Sequence, residues 1–567
     1  MRDGRTIWIA SIALVAALAP TPAGRAQTIE QATPPRIGVA DAPLSITLAD
    51  AIRMTLEQNN DVAIARMDTD VARQNIRAAL GVYDPRVTPN FAYERTVTAN
   101  TSAIGGATEG RLERTEISGG AGMIGRTPWA GGRYTVDFSS SRLDTSNQFA
   151  RLNPEFPSAL TASYTQPLFR GRAIDTDRRN ILLARRALDL TDAQLLQVVM
   201  DQLTLVEEAY WDLAFAAKNL DVLTSALAQA RGQVASNERQ AKEGTLAPID
   251  VVEAQTQVSR FRQAVASAQQ ALTEAENRLK RLMLADRKAS AWNSPIVPVE
   301  LADRSAPPIG VDEAVKLALA RRPELKALDS TRAQNDVDRA FFRDQTKPQL
   351  NLVGGTTLSG LSGDPLSSTS QPPVGGNDGD AALLARLNEL SALANLPPLP
   401  TPPPSTGNAV PQFFVGGYST SLSNLLARRF PTAVVQLQVD LPLRNQTARA
   451  NLARAEVQAT QLARRRQALE QAIESEVRDT LQAVRSSELR LEAAASARRY
   501  ALEQYESERR RFDSGLSTVF LVLERQTAFV TAQASELRAR ADLNQAIAQL
   551  ERAVGGTLEW HGVKLQS

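Results

Sequence analysis

Apolar positions recur along this chain with two periods. Leu195, Val199, Val206, Tyr210, Leu213, Leu220 and Leu227 are spaced four, seven, four, three, seven and seven residues apart. Leu469, Ile473, Val477, Leu481, Val484 and Leu491 form a similar seam further on. Such spacings put one row of side chains on one face of a helix that packs along another helix. No Pro or Gly interrupts residues 175–231 or 447–514. A helix of about 70 residues is about 100 Å long at 1.5 Å per residue, so it has to lie beside equally long neighbours. Gly232 falls within the first helix and weakens it by about 1 kcal/mol without ending it.

Between the helical stretches the period drops to two. Tyr134, Val136 and Phe138 alternate with Arg133, Thr135, Asp137 and Ser139. Leu160, Ala162 and Tyr164 alternate with Thr161, Ser163 and Thr165, and Val435, Leu437, Val439 and Leu441 alternate with Gln436, Gln438 and Asp440. Residues 87–95, 116–123 and 349–357 are further candidate strands. Strands of about ten residues, apolar on one face and polar on the other, suit a transmembrane barrel with a wet lumen. Strand by strand, they suit a half-buried soluble sheet equally well.

The two periods occur twice. Leu48, Ala51, Leu56, Asp61 and Pro85 recur 263 residues later as Val311, Ala314, Leu319, Glu324 and Pro348. Gly244, Glu253 and Thr256 recur 271 residues later as Gly515, Glu524 and Thr527. Each half, 44–287 and 309–558, therefore reads as a short helix, a strand region, a long helix, a break at Gly and a shorter helix. The strand regions fall at about 86–168 and 348–442, and the long helix pairs at about 173–285 and 446–555. A linker at 288–308 joins the halves. Residues 27–43 form a flexible segment before them, and 559–567 a tail. Residues 359–411 are rich in Gly, Pro and Ser and read as a long surface loop, with a short helix near 380–393.

The N-terminus changes the picture. Arg2 and Arg5 precede an apolar run from Ile7 to Leu18, and Gly24-Arg25-Ala26 offers small residues for cleavage. That is the pattern of a secretory signal peptide at 1–26, cut after Ala26. No later stretch is long and apolar enough for a spanning helix, so a membrane-embedded mature chain has to be a β-barrel.

Composition then removes most chemistry. There is no Cys and one His, which leaves no thiolate site, no His-rich metal site and no ordinary catalytic triad. His561 reads as a solvated tail residue. Lys+Arg 64 against Asp+Glu 62 gives a net charge of +2, without the positive excess of a nucleic-acid binder. Neither a cofactor, a metal nor an enzymatic activity is expected. Gly120-Ala-Gly122-Met-Ile-Gly125 matches a dinucleotide fingerprint in spacing, but a strand follows instead of a helix. Those glycines read as a hairpin turn and close strand packing. Arg464–Arg466 and Arg509–Arg511 read as solvated faces; the second run could otherwise serve an adaptor contact or an inter-helix ion pair.

Taken in order, and duplicated, these features resemble the TolC family of outer-membrane efflux proteins. The most specific pieces are the tips at Gly244 and Gly515 with Asp250-Val-Val-Glu253 after the first. The strand-to-helix passages Tyr164-Thr-Gln-Pro-Leu-Phe169 and Val439-Asp-Leu-Pro-Leu443 come next, followed by the helix starts at 48 and 311. The resemblance implies a mainly α protein with a transmembrane β-barrel, whose coiled-coil helices form a periplasmic tunnel. It implies a homotrimer in the outer membrane of a Gram-negative-type cell, each protomer giving four strands to a twelve-stranded barrel. Its partners would be outer-membrane lipid, a periplasmic adaptor and an inner-membrane pump of RND or ABC type. The tips, with Gly244, Thr245, Leu246, Gly515, Leu516 and Ser517, would form the gated periplasmic end and meet the adaptor. Family members often carry two acidic residues after the second tip; the matching positions are Leu521 and Glu524, the first apolar. Asp250 matches an acidic position after the first tip, with Glu253 one turn on. An iris-like opening at these tips is implied.

Two features depart from the family pattern. The 82 residues from Pro85 to Pro167 have room for an extra hairpin near 113–142, and the Pro-rich loop is the other. A non-conducting periplasmic coiled-coil scaffold is the alternative reading; the amphipathic strands speak against it. An adaptor with one helical hairpin would lack the duplication.

Overall fold

The computed structural model describes residues 42–563 apart from 103–104, 108, 300–303, 306, 367–376 and 401–409. The expected signal peptide, and part of the Pro-rich loop, lie outside the described residues. The first half contains β1 (Leu44–Ile46), α1 (Leu48–Gln58), α2 (Asn60–Leu80), β2 (Arg86–Ala99), β3 (Arg111–Arg126), β4 (Arg133–Thr145), β5 (Leu152–Glu155), β6 (Ser158–Pro167), α3 (Thr176–Lys242) and α4 (Pro248–Met283). The second contains β7 (Ile296–Pro298), α5 (Val311–Arg321), α6 (Pro323–Gln345), β8 (Gln349–Gly360), β9 (Gly363–Pro365), α7 (Asn377–Leu393), α8 (Tyr418–Leu426), β10 (Phe430–Asp440), α9 (Gln446–Asp513), α10 (Val519–Val554) and α11 (Thr557–Trp560).

The two long helices have 67 and 68 residues, about 100 Å each at 1.5 Å per residue. α3 passes through Gly232 unbroken. The helical seams are buried as their spacing demands. Val199, Val206, Tyr210 and Leu213 pack with α1, the end of α4 and the small parallel pair β1–β7. Ile473, Val477, Leu481 and Val484 pack against α5 and α10.

The short helix expected in each half is two helices. Asn59 breaks the first: its backbone is extended, its Oδ1 accepts from Asp61 N and Val62 N, and its Nδ2 donates to Leu282 O at 2.8 Å. That is an N-cap tied into the core. Arg322, the repeat counterpart, takes the same extended backbone, and Pro323 starts α6 without an N–H to lose.

The strands form one antiparallel path, β10-β8-β6-β4-β3-β2, with short β5 and β9 alongside. All six period-two segments are strands of this sheet. The four strands per protomer implied by the resemblance are corrected to six, because the β3–β4 hairpin lies between β2 and β6. The strands also run longer than the roughly ten residues a thin apolar band requires, with 16 residues in β3. Gly120, Gly122 and Gly125 all lie inside β3 with no helix after them. They serve close packing, with Gly125 opposite Tyr134. The turn they were expected to make lies later, at Ala130 and Gly131, both with positive φ.

Candidate functional site: the helical tips

Each long helix ends in the same local structure. Gly244 has φ +75° and Gly515 has φ +74°, the left-handed region that only Gly enters without a Cβ penalty. Thr245 N donates to Gln240 O at 3.0 Å, and Leu516 N donates to Arg511 O at 2.8 Å. These are Schellman caps, which satisfy carbonyls the helix end leaves open. The next helices then begin differently. Pro248 opens α4, whereas the Thr518 side chain accepts from Leu521 N to open α10.

The two tips are packed together. Ala254, Val519 and Leu523 are buried with Val234, Leu246 and Phe512 against them. Gln257 Nε2 donates to Thr527 Oγ1 at 2.8 Å, linking the α3–α4 hairpin to the α9–α10 hairpin. Ser517 Oγ bonds Glu508, and Thr245 Oγ1 bonds Gln240 O. Outside this small core the tips expose apolar side chains: Ile249, Val252, Leu516 and Phe520, the last 59% exposed.

The residues singled out from the sequence divide by position. Gly244, Thr245, Gly515, Leu516 and Glu524 are exposed, while Leu246, Asp250, Glu253, Ser517 and Leu521 are half-buried. Glu253 Oε2 is buried without a hydrogen-bond partner among the described residues. No hydrogen bond or ion pair joins Asp250, Glu253 and Glu524 to one another among the described residues. Within one protomer these carboxylates do not form a cluster. Arg509, Arg510 and Arg511 are exposed. Arg466 departs from the solvated-face reading: it pairs with Asp329 on α6 and with Glu470.

The family model described as Outer membrane efflux protein matches residues 133–283 and 410–556, more than half of the chain and one stretch in each repeat. The chain belongs to the outer membrane efflux protein family. It is an outer-membrane efflux duct, with the TolC-like fold. The family is one of efflux channels. The fold resembles the outer-membrane channel OprN at 16% identity and a TM-score of 0.58, covering 90% of each chain. It resembles the Campylobacter jejuni CmeC outer membrane channel at 15% identity and a TM-score of 0.59, over 90% of this chain and 86% of that one. The open state of the Neisseria gonorrhoeae MtrE outer membrane channel matches at 15% identity and a TM-score of 0.54, over 90% and 89%. No curated protein matches significantly.

Away from the tips, this efflux protein buries a charged cluster that sequence reading missed. Glu207 of α3 and Glu551 of α10 are 1% and 4% exposed. Arg304 of the linker bonds both, at 2.7 and 2.6 Å. His561 Nε2 lies 2.5 Å from Glu207 and 3.5 Å from Glu551. This corrects the solvated-tail reading, because α11 turns the tail back onto α3 and α10. Burial pulls the His561 pKa down, but the hydrogen bonds and charges of Glu207 and Glu551 outweigh it and raise it to about 9. The ligand-type atoms of Glu207, Glu551 and His561 lie within 4.8 Å of one another. Arg304 already neutralises the carboxylates there, so the chemistry is that of an ion-pair knot between two anions and two cations. A second knot ties the repeats together: Arg552 pairs with Asp201 at 2.6 Å and Glu476 at 2.8 Å, and Arg322 pairs with Glu476 and Glu324. Apart from Arg322 and Glu324, its members lie far apart in sequence, and no spacing motif announces them.

Proposed function

We propose that three copies of the chain close one duct through the outer membrane and the periplasm. Its signal peptide is removed after Ala26. The helical tips gate it, and it receives cargo from a periplasmic adaptor served by an inner-membrane pump of RND or ABC type. The observation that carries the gate is the paired tip: two matching Gly caps, joined by a small core and by the Gln257–Thr527 and Gln526–Gln229 hydrogen bonds. This tip core is smaller than the seams that bury the shafts above, where Val530 of α10 already packs among Ala226, Leu227, Phe261 and Val265, so the tips are where the hairpins separate first. Exposed Ile249, Val252, Leu516 and Phe520 supply an apolar rim for a neighbouring protomer or the adaptor. Glu524 is exposed after the second tip; three copies would ring the opening with carboxylates and favour cations. Leu521 would sit beside them as an apolar collar, with Asp250 and Glu253 of α4 behind.

Because the chain has no Cys, Gln257→Cys/Thr527→Cys can be bridged selectively by a short bis-maleimide. Export through the bridged protein should stop, while each single variant treated alike still exports. Undiminished export through the bridged protein would refute gating by separation of these hairpins. In planar bilayers, Glu524→Gln should lower cation preference; an unchanged preference would remove Glu524 from the constriction.

A further inference from the structure

From the β3–β4 hairpin we infer that the membrane barrel has eighteen strands and a bore matching that of the helical tunnel; this rests on the trimeric duct reading above. The hairpin is an integral part of the sheet. β3 pairs with β2 from Arg86↔Ile124 to Ala99↔Arg111, and β4 pairs with β6 from Arg133↔Thr165 to Ser140↔Ser158. Its turn is fastened at the junction with the helices: Gln166 Nε2 donates to Ala130 O at 2.7 Å, and Arg126 pairs with Asp177 in the first turn of α3. The hairpin thus starts level with the passage from β6 to α3.

Its two faces continue those of the other strands. By register, Phe91, Met123, Phe138, Leu160, Leu358 and Val435 share one face, one from each strand of the path. The opposite face carries Asn90, Ser118, Asp137, Thr161, Thr357 and Gln436. An apolar side and a polar side therefore continue through β3 from Ile117 to Met123 and through β4 from Tyr134 to Phe138; farther from the helices the apolar side gives way to the Arg95–Glu113 pair and Arg142.

The sheet has two free edges, β2 and β10. Unpaired backbone groups are not tolerated in hydrocarbon, so both edges have to be closed. β2 leaves the helical end and β10 returns to it, so β10 of one protomer and β2 of the next meet antiparallel. Three protomers of six strands then make eighteen.

For a strand spacing of about 4.8 Å and a tilt of about 40°, eighteen strands close at a backbone radius of about 18 Å, against about 12 Å for twelve. At each level a protomer supplies four helices: α2, α3, α6 and α9 near the sheet, and α3, α4, α9 and α10 towards the tips. Twelve helices at an interaxial distance of about 9–10 Å form a ring of radius about 17–19 Å. The eighteen-stranded radius is close to that of the helix ring. The consequence is a backbone cross-section about 2.2-fold larger than with twelve strands. The membrane portion then passes whatever the tunnel passes, and size selection is left to the tips.

The test is electron microscopy of the detergent-extracted mature protein, with its oligomer mass measured in parallel. The expected result is a three-protomer particle whose barrel shows eighteen strands at a radius of about 18 Å. A three-protomer particle with a twelve-stranded ring, its β3–β4 hairpins outside the wall, would overturn the inference and leave the duct intact. A two-protomer particle closing twelve strands would overturn both the strand number and the trimer. A particle with no closed sheet would overturn the duct reading itself.

Discussion

The His561 knot gives the sharpest test of how the repeats and the tail are held together. His561→Asn removes the only titrating cation in it and keeps a polar side chain of similar size. The folded pKa is raised, about 9 against about 6.5 unfolded. Its stabilisation is therefore complete below about pH 6.5 and is lost as the pH rises through about 9. Linkage gives about 2–3 kcal/mol per protomer at pH 7, about 1 kcal/mol at pH 8 and almost nothing at pH 10. These figures are upper bounds, since the side chain keeps 11% of its exposure and solvent screens part of the effect; about half is a fair lower bound. The assay is thermal unfolding of the detergent-solubilised protein and the variant side by side, from pH 6 to pH 10. The difference in Tm between them should be widest at the acid end and close by pH 10. A constant difference across that range would show that His561 does not titrate against Glu207 and Glu551, and the ion-pair account would be wrong.

Other perturbations separate the remaining claims. Arg304→Met leaves Glu207 and Glu551 facing each other with only His561 between them, and should cost about 3–5 kcal/mol; denaturant unfolding measures it. Gly515→Ala places a Cβ at φ +74° and should cost about 1–2 kcal/mol, read as faster amide exchange confined to the tip. Phe520→Asp alters a side chain that is 59% exposed, so the isolated protein should keep its stability within about 0.5 kcal/mol while export falls. A large loss of stability would mean that Phe520 is buried by a neighbouring protomer.

Periodicity made the helices and strands legible because it is a local property of the chain. The seams through Tyr210 and Val477 announce both the helix and the face it buries, and the Gly caps follow from a residue type that alone tolerates their φ. The break at Asn59 was less legible. An Asn-Asn-Asp stretch inside a helical pattern looks like ordinary polar surface until the Asn59 side chain is seen capping one helix and bonding a carbonyl on another. The knot around Arg304 was not legible at all. Glu207, Arg304, Glu551 and His561 meet only once α3, the linker, α10 and α11 have packed, and a lone terminal His carries no sign of that. The tip residues lie in between: the sequence located the turn, but the geometry of a single protomer leaves Glu524 in solvent.

The asymmetry between the repeats follows from what each element can tolerate. The long helices are constrained along their length by shorter neighbours laid end to end, α2 and α4 beside α3 and α6 and α10 beside α9, so the expected neighbours of equal length are corrected; α3 and α9 themselves differ by one residue. The sheet is freer. A hairpin adds two strands, so β6 still descends into α3 and β2 still rises from α2, and each strand keeps an antiparallel neighbour. An insertion of one strand would reverse the direction of every later strand and point the chain away from its helix. An insertion of two changes only the circumference. The second repeat took the other route and lengthened the β8–β10 connection, at the end of the sheet farthest from the helices, leaving the wall unchanged. Insertion in pairs, or beyond the sheet, is what a duplicated helix–strand–helix unit permits while both of its ends stay bound to the tunnel.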